Sequence, residues 1–378
     1  MQNKINIAII VPGGIGTGKD SIGVPVMERI IKSLSNNFNI TVFQLYKVNQ
    51  GFTVNGFDLI EVYSSNRALK YLKLIYHFWR VQQKKEIQIV HGFWTMPSGF
   101  LSVLIGKIFR IKSVVSVLGG DAIALPEIHY GQLRSPLYRK LIFWALSEAH
   151  QVIVLTQYLI DNLKKYGFYR EDIKVIPWGI DGSLFSYKEK SIARPVQFLH
   201  IANLHPVKDQ ETLLRAFKII SDEIPAHLLI IGEGISEGRI KTMIGEMNLQ
   251  SKIEILKQLP YENLPSYYHQ ADVLLHTSLS EGQSEVVTEA LSCGVLVCGT
   301  HVGLMADLAD QCCITVPIQD DKALAAQIIN LLNNKQKQMQ MRSSGLQWSK
   351  TYSLSWTCRQ YATLYQQLLP NSNPRESR

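Results

Sequence analysis

Apolar and polar positions follow one rhythm along this chain. Short apolar runs end in turns of Gly, Pro, Ser or Asp, and segments with helical spacing follow them. The unit is clearest over residues 273–300. Val273 to Leu275 is an apolar run, Ser278, Ser280 and Gly282 mark a loop, and Val286, Val287, Ala290 and Leu291 share the apolar face of a helix. Gly294 stands where a helix C-cap glycine belongs, and Val295 to Cys298 is a second apolar run. The stretch therefore predicts a strand, a helix and a second strand parallel to the first.

The same rhythm predicts strands over 5–11, 40–45, 59–62, 87–90, 113–118, 151–155 and 173–176, and again over 198–202, 227–231 and 253–256. Helices are predicted over 68–85, 134–147 and 157–165, with a helical tail over 348–369 that carries Tyr352, Trp356, Tyr361 and Tyr365. Strands alternating with helices make an α/β chain with parallel, doubly wound sheets. At 378 residues the chain suits two domains of about 180 residues each. A polar run, Ser186 to Arg194, is the natural linker. The expected organisation is residues 1–190, then 191–350, then a final segment 351–378.

Composition changes this picture little, but charge does. No apolar run approaches the ~20 residues that a spanning helix needs, and the apolar start at Ile5 is read as a first strand rather than a signal peptide. A cytoplasmic protein is the expectation. The five cysteines, all at or beyond Cys293, form no C-x-x-C pair and read as reduced core residues. Residues 1–190 hold 23 Lys+Arg against 13 Asp+Glu, a net +10, which leaves 16 against 18, or −2, for the rest. Two segments concentrate the excess. Arg67, Lys70, Lys73, Arg80, Lys84 and Lys85 interleave with Tyr71, Leu72, Tyr76 and Trp79, and 134–147 mixes cations with Leu, Ile, Phe and Trp. Such helices either cover a sheet with a solvated basic edge or lie on an anionic membrane, each cation there contributing about 1 kcal/mol. No nucleic-acid-binding motif is present.

In an open parallel sheet, ligands sit beyond the carboxyl ends of the strands, where loops enter helices. The polar loops at those ends are Pro12 to Lys19, His91-Gly92, Gly119 to Asp121, Ala202 to Asp209, Gly232 to Gly234 and the Glu281 loop. Gly13 to Lys19 has the spacing of a phosphate-binding P-loop. Asp20, however, stands where a P-loop needs Ser or Thr, and no apolar strand ends in a Walker-B Asp. His91 at its strand end is either structural or ligand-facing. Glu281 and Glu289 taken singly read as a solvated loop acid and an exposed helix acid. Together they are spaced to hold hydroxyls at two points of one elongated ligand.

Glu281-x7-Glu289, followed by Ala290 and by Cys293-Gly294, resembles the signature of the retaining glycosyltransferase family 4. The resemblance implies the GT-B arrangement: two Rossmann-like domains facing a cleft, with a C-terminal helix crossing back onto the first domain. It implies that Glu281 contacts a donor sugar and Glu289 the ribose of a nucleotide. Ala202 to Asp209 resembles the family's G-R-L-x-x-x-K-G segment, so Lys208 would neutralise a diphosphate, with Asn203 in place of the Arg. Leu118 to Asp121 resembles the H-G-x-D element, with Leu118 at the His position and Asp121 kept. Ile176 to Asp181 resembles I-P-N-G-I-D, with Trp178 for Asn. Lys257 to Leu259 falls where the family makes backbone contacts to the base. The catalytic set implied is Glu281, Lys208 and Asp121. The donor-binding set is Glu289, Asn203, Gly14, Gly16, Gly232, Ser284, Glu285 and Val286, Glu285 being an acid where the family has an apolar residue.

Without a D-x-D-like pair in the cleft loops, no metal is expected, and the co-substrate would be a UDP- or GDP-sugar. The acceptor would be a glycan or lipid-linked glycan of cell-surface polysaccharide or lipopolysaccharide, met at the inner membrane face. Two alternatives remain at this point: a non-catalytic nucleotide-sugar-binding scaffold, motivated by Leu118, Asn203 and Glu285, and a nucleotide-sugar epimerase on the same fold.

Overall fold

The computed structural model of the chain describes residues 4–18 and 23–369. Lys19 and Asp20, on which the P-loop comparison turned, lie outside the described residues. Within them, parallel strands build two sheets. The first contains β1 (Asn6–Val11), β2 (Asn39–Gln44), β3 (Asp58–Glu61), β4 (Ile89–Phe93), β5 (Lys112–Val117), β6 (Gln151–Val154) and β7 (Lys174–Val175), in the order β3-β2-β1-β4-β5-β6-β7. The second contains β8 (Val196–Ile201), β9 (Ala226–Ile231), β10 (Ile253–Leu256), β11 (Val273–His276), β12 (Leu296–Thr300) and β13 (Cys313–Val316), in the order β10-β9-β8-β11-β12-β13. Both orders reverse direction once, between β1 and β4 and between β8 and β11. These are the switch points where loops part and leave a crevice.

Helices on both faces explain why the strands read as apolar runs rather than as alternation. Every residue of β4 and of β12 is buried. One element had no periodic signal: the helix Phe100–Phe109, FLSVLIGKIF, is apolar around most of its circumference, so its sequence shows no polar face to read. The tail differs from expectation in a different way. Residues 348–369 are not one helix but the end of Lys335–Thr351 and a separate helix Leu354–Leu368. The break at Tyr352 and Ser353 makes room for Gly179, where an added Cβ would lie 2.2 Å from the Tyr352 carbonyl oxygen.

Leu354–Leu368 crosses back onto the first sheet's side and packs against the helix Pro25–Leu34. Tyr361 and Tyr365 on it are fully buried. Tyr365 also settles His91. That imidazole is buried between Tyr365 Oη at 2.7 Å (Nδ1) and Ser116 Oγ at 2.8 Å (Nε2), and burial lowers its pKa to about 3. It holds the C-terminal helix to the sheet and does not face a ligand.

Candidate active site

Between the two halves lies a cavity of about 400 Å³ at the carboxyl ends of both sheets. Its apolar wall includes Trp94, Leu118, Leu155, Trp178, Ile201, Ile231 and Leu259, and its polar groups include Asn203, Lys208, Gln258, Tyr261, Glu281, Gln283, Ser284, Glu285 and Glu289. Among the described residues that line it, Lys208 is the one cation and three are carboxylates.

The Glu281 loop is positioned by close backbone contact. An added Cβ on Gly282 would lie 1.8 Å from the Leu118 carbonyl oxygen, so only glycine lets this loop pass against the first half of the chain. Thr156 Oγ1 donates to the Gly282 carbonyl at 2.8 Å from the same side. Ser284 follows at φ +76°, a strained value for a non-glycine residue, and the helix begins at Glu285. On the facing loop, a side chain at Gly232 would collide with the Ala202 carbonyl at 1.9 Å.

Lys208 sits on the short turn Pro206–Lys208, which is tied to the strand-end loop beside it. Thr277 Oγ1 donates to the Lys208 and Asp209 carbonyls at 3.1 and 3.0 Å, and Leu279 N donates to the Val207 carbonyl at 2.8 Å. These bonds aim Lys208 Nζ at Glu281 Oε1, 2.5 Å away. Ser278 Oγ donates to the same oxygen at 2.8 Å, and His276 Nε2 stands 3.3 Å from it. Burial alone would raise the Glu281 pKa. Lys208 and then His276 more than reverse that effect and hold the acid well below the usual carboxylate range. Three protein groups thus crowd Oε1, while the side chain lines the cavity.

Glu289 lies deeper, 2% exposed, and accepts a hydrogen bond from Tyr268 Oη at 2.6 Å on Oε2. Burial pushes its pKa up to about 7 against the opposing hydrogen bonds of Tyr268 and Tyr261. Glu285, one helical turn nearer the mouth, is also pushed up, by burial and then by Glu289, with Lys208 pulling the other way. Its acid is therefore partly neutral near pH 7, which eases an electrostatic conflict with any anion bound beside it.

The structure thus brings Glu281, Lys208, Glu289, Asn203, Gly232, Ser284, Glu285 and Val286 to one cavity wall. It places three other predicted residues elsewhere. Asp121 is 1% exposed beneath the floor, not on the wall. Its carboxylate accepts from Thr95 N and Oγ1 at 2.8 and 2.9 Å and from Gly119 N at 2.8 Å, so it shapes the Leu118–Gly119 loop instead of reaching a ligand. Gly14 and Gly16 do not line the cavity. The Gly14 N–H is taken by Thr17 Oγ1 at 3.1 Å and the Gly16 carbonyl by Asn49 N at 2.8 Å, so these glycines shape their own loop. Among the described residues no cluster of three His, Cys, Asp or Glu side chains is arranged to hold a metal. The sequence reading missed Tyr261, Tyr268, His276, Ser278 and Gln283. Ser278 and Gln283 carried a local signal, as loop residues on either side of Glu281.

Comparison with known proteins bears on the family and the fold. Residues 186–348 match the family described as Glycosyl transferases group 1, and residues 33–184 match that described as Glycosyltransferase Family 4. The chain belongs to this family and is a glycosyltransferase with the GT-B fold. Among curated relatives it is 24% identical over 268 residues to the N-acetyl-alpha-D-glucosaminyl L-malate synthase of Bacillus anthracis, covering 68% of each chain. It is 27% identical over 183 residues to the phosphatidylinositol N-acetylglucosaminyltransferase GPI3 subunit of Saccharomyces cerevisiae, 46% of this chain and 40% of that protein. Among solved structures, sucrose-phosphate synthase from Thermosynechococcus elongatus superposes with a TM-score of 0.79 at 19% identity, covering 97% of this chain and 99% of that one. Anabaena HepE in complex with UDP-glucose superposes with a TM-score of 0.77 at 17% identity, covering 96% of this chain and 100% of that one.

Proposed function

We propose that this glycosyltransferase moves a sugar, with retention of configuration, from a nucleotide-diphosphate donor to a glycan or lipid-linked acceptor in the synthesis of a surface polysaccharide. One observation carries the reading: Glu281 and Glu289 open into one cavity, the first fixed beside Lys208, the one lining cation among the described residues, the second buried among tyrosines. A donor laid along that wall would place its ribose at Glu289, its diphosphate at Lys208 and the N–H groups where the helix Glu285–Cys293 begins, and its sugar at Glu281. The apolar wall would take the base. Neutralising the leaving diphosphate, rather than deprotonating a nucleophile, is the main demand of such a transfer, and Lys208 is preset for it. In this reading residues 1–190 supply the acceptor side and 191–350 the donor side.

The named ligand of the HepE structure, UDP-glucose, supports a UDP-sugar donor, and the putative colanic acid glycosyltransferase WcaL of Escherichia coli, 26% identical over 245 residues, supports polysaccharide synthesis. Membrane contact by the first half is part of the proposal. The helix Arg67–Lys85 buries Leu74 and Phe78 but leaves Leu69, Leu72, Tyr76 and Trp79 exposed among its cations, and Leu137 is exposed on the helix Pro136–Glu148. No helix among the described residues is long and apolar enough to cross a membrane.

The test is incubation with UDP- and GDP-sugars, with and without a lipid-linked glycan acceptor, and NMR of the product's anomeric centre. Acceptor-dependent transfer with the donor's anomeric configuration supports the reading. Binding without turnover would indicate a scaffold, an epimerised donor without acceptor an epimerase, and an inverted linkage would overturn retention.

A further inference from the structure

Glu289 reaches the opposite half of the molecule through two side chains that the donor reading does not use. Tyr261 opens the turn Tyr261–Asn263, is 8% exposed, and packs edge-on against Phe185 with ring centroids 5.2 Å apart. Tyr268 makes the direct hydrogen bond to the Glu289 carboxylate at 2.6 Å, and the Tyr261 hydroxyl beside it also works against the burial that raises the Glu289 pKa; both Tyr261 and Glu289 line the cavity. Arg29, on the helix Pro25–Leu34 of the first half, places its guanidinium carbon 5.1 Å from the centre of the Tyr261 ring. Arg29 Nη2 also meets Glu262 Oε1 at 3.3 Å, and Nη1 lies 3.7 Å from Asp181 Oδ2. A second cleft, lined by Arg29, Lys32, Asp181 and Glu262, adjoins the active-site cavity, and Pro25 and Tyr261 line both.

Tyr261, Tyr268 and Glu289 belong to the second half, whereas Arg29 comes from the first. A cation over the ring draws charge from the phenol and strengthens the pull of its O–H on the carboxylate beside it. That effect exists only while the helix Pro25–Leu34 rests on the Tyr261 turn. The neighbouring ion pairs hold Arg29 in place but are partly exposed, so they fix its direction more than they add stability.

We propose that Arg29 and Tyr261 are positioning residues that make the grip of Glu289 on the donor depend on contact between the two halves of the enzyme. The inference rests on the donor-site reading of Glu289 given above. Donor bound in the second half would be held most tightly when the first half, with the acceptor, is in place, coupling the two substrates without a shared contact.

Steady-state kinetics of Tyr261→Phe, Arg29→Met and the double variant, with UDP-sugar varied at saturating acceptor, test this. Tyr261→Phe keeps the ring and Phe185 contact but removes the hydroxyl, and Arg29→Met keeps most of the side-chain volume. Each single variant is expected to raise donor KM about three- to tenfold with kcat within about twofold. The double variant should be no worse than Tyr261→Phe alone, and Arg29→Lys should recover most of the Arg29→Met loss. Additive effects of the two changes, or a donor KM unaltered in Tyr261→Phe, would overturn the coupling. Glu289→Ala separates the two ideas. If it raises donor KM while Tyr261→Phe does not, only the positioning proposal fails. If Glu289→Ala itself leaves donor KM unchanged, the donor-site reading fails.

Discussion

Gln283 holds Trp178 at both ends of one residue. Its amide oxygen accepts from Trp178 N at 2.7 Å and its amide nitrogen donates to Trp178 O at 2.6 Å, pairing across the two halves as a strand edge would. Gln283 Nε2 also reaches Thr288 Oγ1 at 3.1 Å, and Trp178 Nε1 donates to Tyr361 Oη at 3.0 Å on the C-terminal helix. The residue after Gly282 in the signature loop thereby joins the donor-side helix, the turn Ile176–Asp181 and the chain's last helix. In the cleft, Trp178 contributes an apolar wall.

Gln283→Leu fills the same volume but leaves the Trp178 N–H and carbonyl buried without partners. Each such group costs about 1 to 3 kcal/mol. The variant should lose about 2 to 6 kcal/mol of stability, seen as a lower urea midpoint by tryptophan fluorescence. A midpoint equal to wild type would mean that water replaces the amide and that the bridge is not structural.

Lys208→Ala should lower kcat/KM for the donor at least tenfold, since a charge-assisted contact to a phosphate contributes about 1.5 to 3 kcal/mol. A second consequence follows from the ion pair. Without Lys208, burial is less fully opposed and the Glu281 pKa rises, so activity that needs the Glu281 carboxylate fails at a higher pH than in the wild type. The acid limb of the pH–rate profile should move up. Unchanged kcat/KM, or a profile displaced the other way, would remove this loop from the donor site.

Glu289 makes stability depend on pH with the opposite sign from a salt-bridged carboxylate. Its folded pKa is raised to about 7, so its contribution is fully present below its ordinary pKa of about 4.5 and is lost as pH rises through 7. The difference amounts to something on the order of 3 kcal/mol between pH 4.5 and 8. Glu289→Gln, which stays neutral and keeps a hydrogen-bonding oxygen, should flatten that decline in thermal unfolding midpoints. Parallel profiles for variant and wild type would place the titration elsewhere.

Vesicle binding checks the membrane contact. The protein should co-sediment with vesicles containing phosphatidylserine and not with phosphatidylcholine alone, and binding should weaken between 50 and 300 mM salt, a range that shortens the screening length below about 10 Å. Reversing the charge of Lys70, Lys73, Arg80 and Lys84 together should abolish it. Equal recovery on neutral and anionic vesicles would favour a soluble acceptor.

The sequence by itself determined the alternation of strands and helices, the parallel sheets and the glycine-rich strand ends, because each depends on residues close together in the chain. Helical spacing and buried runs persist wherever a segment packs on one side or on both, which is why β10 and the helix Gln157–Lys165 fall where the pattern put them. The spacing of Glu281 and Glu289 was equally local. Tertiary structure alone decided what those acids touch. Lys208 meets Glu281 across 73 residues, Gln283 meets Trp178 across 105, and Asp121, polar and at a strand end like the others, is withdrawn beneath the floor by Thr95. The physical reason is range: periodicity records which face of a segment is dry, whereas a hydrogen bond between distant segments depends on angles and ångströms that are set only when the loops close on one another.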